Sequence, residues 1–176
     1  MIPYRVKQVI WALTARPITQ DDSKLLDEIL TPAERQLFDR FSVNDQNHSL
    51  RVVRLVGVEQ STHFSLKKAA LLHDIGKVRV GRLSIVDRSI AVALKRLLPK
   101  RSQEWGSLPL SECKRYQVPS VVRAQHAAWG AEMVEAAGGD PLTVSLIRRH
   151  QDRLKIQQNS EEDALLDLLQ AADNAS

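Results

Sequence analysis

Apolar residues recur along this chain at intervals of three and four, the spacing that turns one face of an α-helix toward a core, and the alternation of a strand is nearly absent. Thr31-Pro32-Ala33-Glu34 supplies an N-cap, a proline at the first helical position and a capping-box glutamate, which predicts a short helix through Phe41. From Asn44 or Asp45 a second helix carries His48, Val52, Leu55 and Val56 on overlapping faces. Ser65 caps a third that runs to Asp74 and stops near Gly76, and a fourth spans Asp87 or Arg88 to Leu98 and ends at Pro99. Pro119-Ser120 opens a longer helix to Ala137, closed by Gly138-Gly139. Asp140-Pro141 caps the next through His150, and Ser160-Glu161-Glu162-Asp163 caps the last through Asp173. Met1 to Thr14 reads as a short amphipathic helix. Arg101 to Val118, with Gly106, Pro109 and Ser111, lacks periodicity and reads as a long loop with room for one short helix; loops of this length often act as lids. The expectation is an all-α bundle of roughly seven or eight helices.

Size changes this picture little. The 176 residues are 43% hydrophobic, enough for one domain with a substantial core, and divide into a helical N-terminal segment, 1–43, and a core, 44–174. A single cysteine, Cys113, cannot form an internal disulfide, which points to a reducing compartment and hence the cytoplasm. No stretch approaches the roughly 20 apolar residues needed to span a bilayer. The net charge of +4 suits an anionic partner, and a phosphorylated small molecule satisfies that sign. Lys95, Arg96, Lys100 and Arg101 form the densest basic patch, which reads as a solvated helix end. No basic stripe with interleaved aromatics is evident, so nucleic acid is not the expected partner.

The candidate chemistry lies in the histidines. His73-Asp74 closes an apolar helix, and His48, His126 and His150 also sit on predicted helices beside residues expected to face inward; only His63 of the five does not. Several unpaired buried imidazoles are costly unless something binds them. With Asp173 they make a set suited to manganese, iron, cobalt or zinc rather than magnesium, which prefers oxygen.

The ordered set His48, His73-Asp74, His126, His150, Asp173 resembles that of the HD-domain superfamily of metal-dependent phosphohydrolases, and His73-Asp74-Ile75-Gly76-Lys77 resembles its HDIG subgroup. His126 followed one turn later by Gly130 is similar to the subgroup as well. The resemblance covers about Asn44 to Asn174 and implies an all-helical fold whose ligands project into one cleft. It further implies that His48, His73, Asp74 and Asp173 hold one divalent transition metal, and that Asp74 bridges to a second held by His126 and His150. Two departures stand out. His150 is followed by Gln151 where relatives commonly have another histidine, which leaves the second metal one imidazole short. The Gly-Tyr-Pro sequence of the cyclic diguanylate enzymes is missing.

The implied activity is hydrolysis of a phosphoester or phosphoanhydride in a nucleotide or dinucleotide by a metal-activated hydroxide, with Asp74 and Lys77 as catalytic residues. Gly76 is expected to let the chain leave the helix so that Lys77 turns back toward a phosphate, with Arg82 as a second phosphate contact and Arg79 and Arg88 as further candidates. Arg148 and Arg149 cannot both face the cleft, since consecutive helical residues are rotated by about 100°. Trp105, on the expected loop, is a better base-stacking candidate than Trp129, and Cys113 has no neighbouring motif for nucleophilic work. Asp173, near the end of its helix where fraying is common, is the weakest ligand. A non-catalytic module that senses a nucleotide or binds a partner is the alternative.

Overall fold

The computed structural model describes residues 16–59, 63–81, 96–152 and 160–176, and these form eight α-helices and two short 3-10 segments. In order they are α1 (Gln20–Ile29), α2 (Pro32–Phe38), α3 (Val43–Glu59), α4 (Phe64–Leu72), η1 (Ile75–Val80), α5 (Pro99–Gly106), η2 (Leu110–Glu112), α6 (Val118–Ala136), α7 (Pro141–Arg149) and α8 (Glu161–Ala175). No strand occurs among the described residues, so the chain is all-α as its periodicity predicts.

Most helix starts follow from local chemistry. The Thr31 side chain accepts from the Glu34 amide while Glu34 reaches back to the Thr31 amide, the expected reciprocal cap, although α2 ends at Phe38 rather than Phe41. Thr19 and Asp22 build a second such cap on α1. Asp140 caps α7 and Ser160 caps α8 as expected, and Gly138 adopts φ 80° just after α6, a conformation that glycine tolerates best.

Three expectations change. Ser65 does not cap α4: the helix begins one residue earlier, after His63, and the Ser65 hydroxyl instead donates to Asp140 at the start of α7. The stretch Arg101 to Val118, read as a loop with room for one short helix, holds the end of α5 and then η2, and Pro99 both follows the helical Arg96 and Leu97 and opens α5. Leu55, expected to face inward with Val52 and Val56, is 42% exposed while its two neighbours are buried. The amphipathic helix expected at Met1 to Thr14 and the greater part of that expected before Leu98 lie outside the described residues; Arg96 and Leu97 are helical.

The site is positioned by α4. Its Leu66, Ala69, Ala70, Leu71 and Leu72 are all fully buried, and it packs against α1, α2, α3, α7 and α8. A short helix apolar on so many sides sits at the centre of a bundle. Lys68 would be an intruder there, but its ammonium meets the buried Glu34 carboxylate at 2.9 Å, so the α2 cap also neutralises a charge on the central helix. Because α4 is buried from Ala69 to Leu72, the residues that close it, His73 and Asp74, open into the interior.

Candidate metal centre

Helix α4 ends at Leu72. His73 keeps helical dihedrals, Asp74 moves to φ −96°, ψ 2°, and the chain tightens into η1. These dihedrals lie in the sparsely allowed bridge region where many active-site residues sit. The following segment packs on α6 at unusually short range. A Cβ on Gly76 would stand 2.0 Å from the carbonyl oxygen of His126 and 2.7 Å from the Gly130 nitrogen. The sequence expectation for Gly76, a glycine that frees the chain to leave the helix, is therefore corrected. Among the described residues positive φ occurs only at Gly81 and Gly138, and Gly76 is required for close backbone approach.

That approach brings His126 of α6 beside Asp74. His126 Nε2 lies 3.2 Å from Asp74 Oδ1 and 3.2 Å from Nε2 of His150, the residue that closes α7. On the other side of the same carboxylate, Asp74 Oδ2 lies 3.5 Å from His73 Nε2 and 3.8 Å from Nε2 of His48 on α3. Asp173, in the last turn of α8, places Oδ1 3.0 Å from His48 Nε2 and 3.6 Å from His73 Nε2. All six residues expected from the sequence thus converge, including Asp173 despite its place near a helix end. Two groups able to hold a metal ion result, His48-His73-Asp74 and Asp74-His126-His150, and Asp74 belongs to both.

The proton positions suit a cation. Nδ1 of His73, His126 and His150 lies within hydrogen-bond distance of the Ala70, Val122 and Ile147 carbonyl oxygens, at 3.1, 2.8 and 2.7 Å. A carbonyl only accepts, so each Nδ1 carries a proton and each ring turns its Nε2 inward. His73 Nε2 is buried with no hydrogen-bond partner. The Nε2 atoms of His126 and His150 lie 3.2 Å apart, and His126 Nε2 lies 3.2 Å from an Asp74 oxygen, close enough for one cation to touch all three. Ligand nitrogens about 2.1 Å from a shared ion stand roughly 3 Å apart, and the spacing here agrees.

Electrostatics point the same way. Burial pushes His150 down to about 3, reinforced by the neighbouring His73 and His126, so it is neutral at physiological pH. Burial alone would raise Asp74, but Lys77, His73 and His126 outweigh it and hold the carboxyl well below its usual range. Asp173 is likewise lowered despite its burial, by the adjacent His48 and His73. Burial would depress His73, and the carboxylates of Asp74 and Asp173 reverse that and raise it. Both acids remain ionised and available to a divalent ion.

His73, Asp74, His126 and His150 are buried, whereas His48, Asp173 and Lys77 are partly exposed and mark the side reached from solvent. The Lys77 ammonium does turn back, forming an ion pair with Asp74 Oδ2. Arg82 and Arg88 lie outside the described residues. Arg79 is engaged elsewhere, over the Trp129 ring at 5.3 Å and 3.2 Å from Glu132. Arg148 pairs with Glu135 and Arg149 with Glu162 and Asp163, so both meet acids on neighbouring helices. Trp105 lies on α5 rather than on a loop, its ring edge-on to Tyr116, and Trp129 is buried. Cys113 bonds the Pro109 carbonyl oxygen, and burial raises its thiol. Gln151 is exposed.

Sequence reasoning missed two groups around the ligands. Gln170 donates to the carbonyl oxygens of His150 and Asp152, fixing the end of α7 from α8. The Ser176 hydroxyl lies 3.0 Å from His48 Nδ1. Their spacings from Asp173, three residues before it on α8 and three after it at the C-cap, were the available signal.

The family model of the HD domain matches residues 46–175, most of the chain, with every one of the six convergent residues inside. The chain belongs to the HD domain family. This HD domain is accordingly one of a superfamily of metal-dependent phosphohydrolases, and its histidine and aspartate groups can hold metal. No curated protein and no solved structure is significantly similar to it. None of its described helices is long and apolar enough to cross a membrane.

Proposed function

We propose that this HD domain is an HDIG-type hydrolase that cleaves a phosphoester or phosphoanhydride in a nucleotide or dinucleotide with two divalent transition-metal ions. The observation that carries the reading is the position of Asp74 between two pairs of imidazoles, one carboxylate oxygen toward each pair. His48, His73, Asp74 and Asp173 would hold one ion, and Asp74, His126 and His150 the other. The imidazole-rich donor set favours manganese, iron, cobalt or zinc. Such ions, when bound, supply positive charge against the phosphoryl oxygens and acidify water.

The chain's own residues do the rest. Asp74, kept ionised, gives the site its negative charge at every pH where the protein is folded near neutrality. The carbonyls of Ala70, Val122 and Ile147 lock three rings so that no rotamer search accompanies binding. The buried walls exclude water from the inner face, and the partly exposed Lys77 ammonium meets the phosphate of an arriving substrate, neutralising charge that grows during displacement. Arg82 is the proposed second phosphate contact. The positive net charge of the chain favours such an anionic substrate over nucleic acid, for which no basic, aromatic-lined stripe exists in the sequence.

The test is metal analysis of protein purified without chelator, then a screen of nucleotides and dinucleotides with manganese, iron, cobalt or zinc. Turnover is expected with at least one metal and is expected to vanish in Asp74→Ala together with metal content. Undiminished turnover in Asp74→Ala contradicts the reading.

A further inference from the structure

His126 and His150 are anchored differently in the backbone. His126 lies in the middle of α6, with helix continuing on both sides, whereas His150 is the residue that closes α7. The carbonyls of a helix's last turn lack intrahelical partners and must find others. Here the Asp152 amide donates to the Arg149 carbonyl, and the Ile147 carbonyl lies 2.7 Å from His150 Nδ1. The carbonyls of His150 itself and of Asp152 are met from another helix: Gln170 Nε2 on α8 lies 3.0 and 2.9 Å from them. A primary amide nitrogen carries two protons and a carbonyl oxygen only accepts, so Gln170 commits both protons to the chain leaving α7. Three residues further along α8, Asp173 stands beside His48 and His73. The His150 ring lies against both imidazole groups, its centroid 5.1 Å from that of His126 and 5.2 Å from that of His73.

We infer that Gln170 is a positioning residue: by holding the His150 backbone from α8 it sets where the His150 ring sits against His126 and Asp74, and so builds the His126–His150 subsite. The inference rests on the two-metal reading for its consequence on metal binding, whereas the placement of the ring is observable without metal. Gln125 provides a contrast within the same fold. Its Nε2 likewise donates to two carbonyls, those of Gly106 at 2.7 Å and Leu108 at 3.1 Å, yet these lie at and just past the end of α5, which carries none of the six convergent residues. The same bracing thus occurs at one helix end that bears a ligand and at one that does not.

The experiment compares the wild-type full chain with Gln170→Met and Gln125→Met, each of which keeps the length of the side chain and removes both donors. Zn²⁺ affinity is measured against a chelator, and ¹H–¹³C spectra of the histidine rings, recorded without metal and along the titration, report each ring separately. Gln170→Met is expected to shift the His150 ring signals in metal-free protein and to leave those of His48 in place. It is also expected to weaken about tenfold the Zn²⁺ equivalent that perturbs His126 and His150. Gln125→Met is expected to bind both equivalents as wild type does. A folded Gln170→Met with an unmoved His150 ring and unchanged affinity overturns the inference, as does an equal loss at both subsites or in both variants. Where Gln170→Met does not fold, ¹⁵N relaxation of the wild-type Gln170 side-chain amide decides: an amide as rigid as the backbone sustains the bracing, and a freely rotating one overturns it. If wild type takes up no Zn²⁺ or Mn²⁺, the proposed function fails, and the ring spectra of metal-free protein alone decide the role of Gln170.

Discussion

Gly76 lies so close to His126 that a methyl group on it would overlap the histidine's carbonyl oxygen, and this contact joins the two halves of the site. His73 and Asp74 arrive from α4, His126 from α6, and only the absence of a side chain at position 76 lets η1 and α6 approach closely enough for Asp74 and His126 to meet at 3.2 Å. The neighbour is backbone, not the flexible tip of a side chain, so it cannot yield cheaply. Gly76→Ala is expected to cost about 3 kcal/mol or more in urea denaturation, at the upper end of overpacking penalties, and to reduce metal uptake. Gly57 is the control: it lies within α3 and an added Cβ meets nothing within 4 Å, so Gly57→Ala is expected to stabilise by about 0.5–1 kcal/mol. Equal effects at the two positions contradict the close-approach account.

Lys77 separates binding of metal from use of it. Its ammonium pairs with Asp74 yet is not itself a metal ligand, and its side chain is 35% exposed at the solvent-facing edge. Lys77→Ala is expected to leave metal content intact and to lower kcat/KM on a phosphorylated substrate about 10²-fold. Full activity in this variant removes Lys77 from the mechanism.

The Glu34 carboxylate is completely buried and holds both the Thr31 amide and the Lys68 ammonium. Truncation strips the cap from α2 and leaves a positive charge on the central helix without its partner. Glu34→Ala is expected to lose about 3–5 kcal/mol of stability, read by chemical denaturation. A loss under about 1 kcal/mol means that Lys68 reaches solvent at little cost.

Asp22 supplies a pH test away from the metal site. Burial would raise its carboxyl, but hydrogen bonds from Thr19 and the Arg54 guanidinium outweigh burial and hold it below its ordinary value. A folded-state value below the unfolded one means stability that is fully present above about pH 4 and lost as pH falls through the lowered value. Wild type is expected to exceed Asp22→Asn by a constant margin of about 1 kcal/mol at neutral pH, with the gap closing in acid. A gap that widens on acidification contradicts this sign.

The caps at Thr31, Asp140 and Ser160 were legible in the sequence because each rests on a side-chain bond to the amide three residues on, and the six convergent residues because their order resembles that of the HD-domain superfamily. What escaped depends on tertiary neighbours. Ser65 has the chemistry of a cap but spends its hydroxyl on Asp140, 75 positions away. Pro99 reads as a terminator, and nothing local announces that it also opens α5, which packs on α6. Gly76 looked like a conformational glycine, since nothing local announces that another helix's backbone lies against it. Ser176 and Gln170 act on atoms of distant residues, and a single sequence carries no trace of that pairing beyond their spacing from Asp173.

The central claim is that Asp74 lies between two cations. Anomalous diffraction from crystals of the Mn²⁺-loaded protein tests it most directly. The account predicts two manganese peaks flanking the Asp74 carboxylate, one beside His48, His73 and Asp173 and the other beside His126 and His150. Manganese bound only elsewhere, or ligated by the histidines with Asp74 turned away, would contradict it.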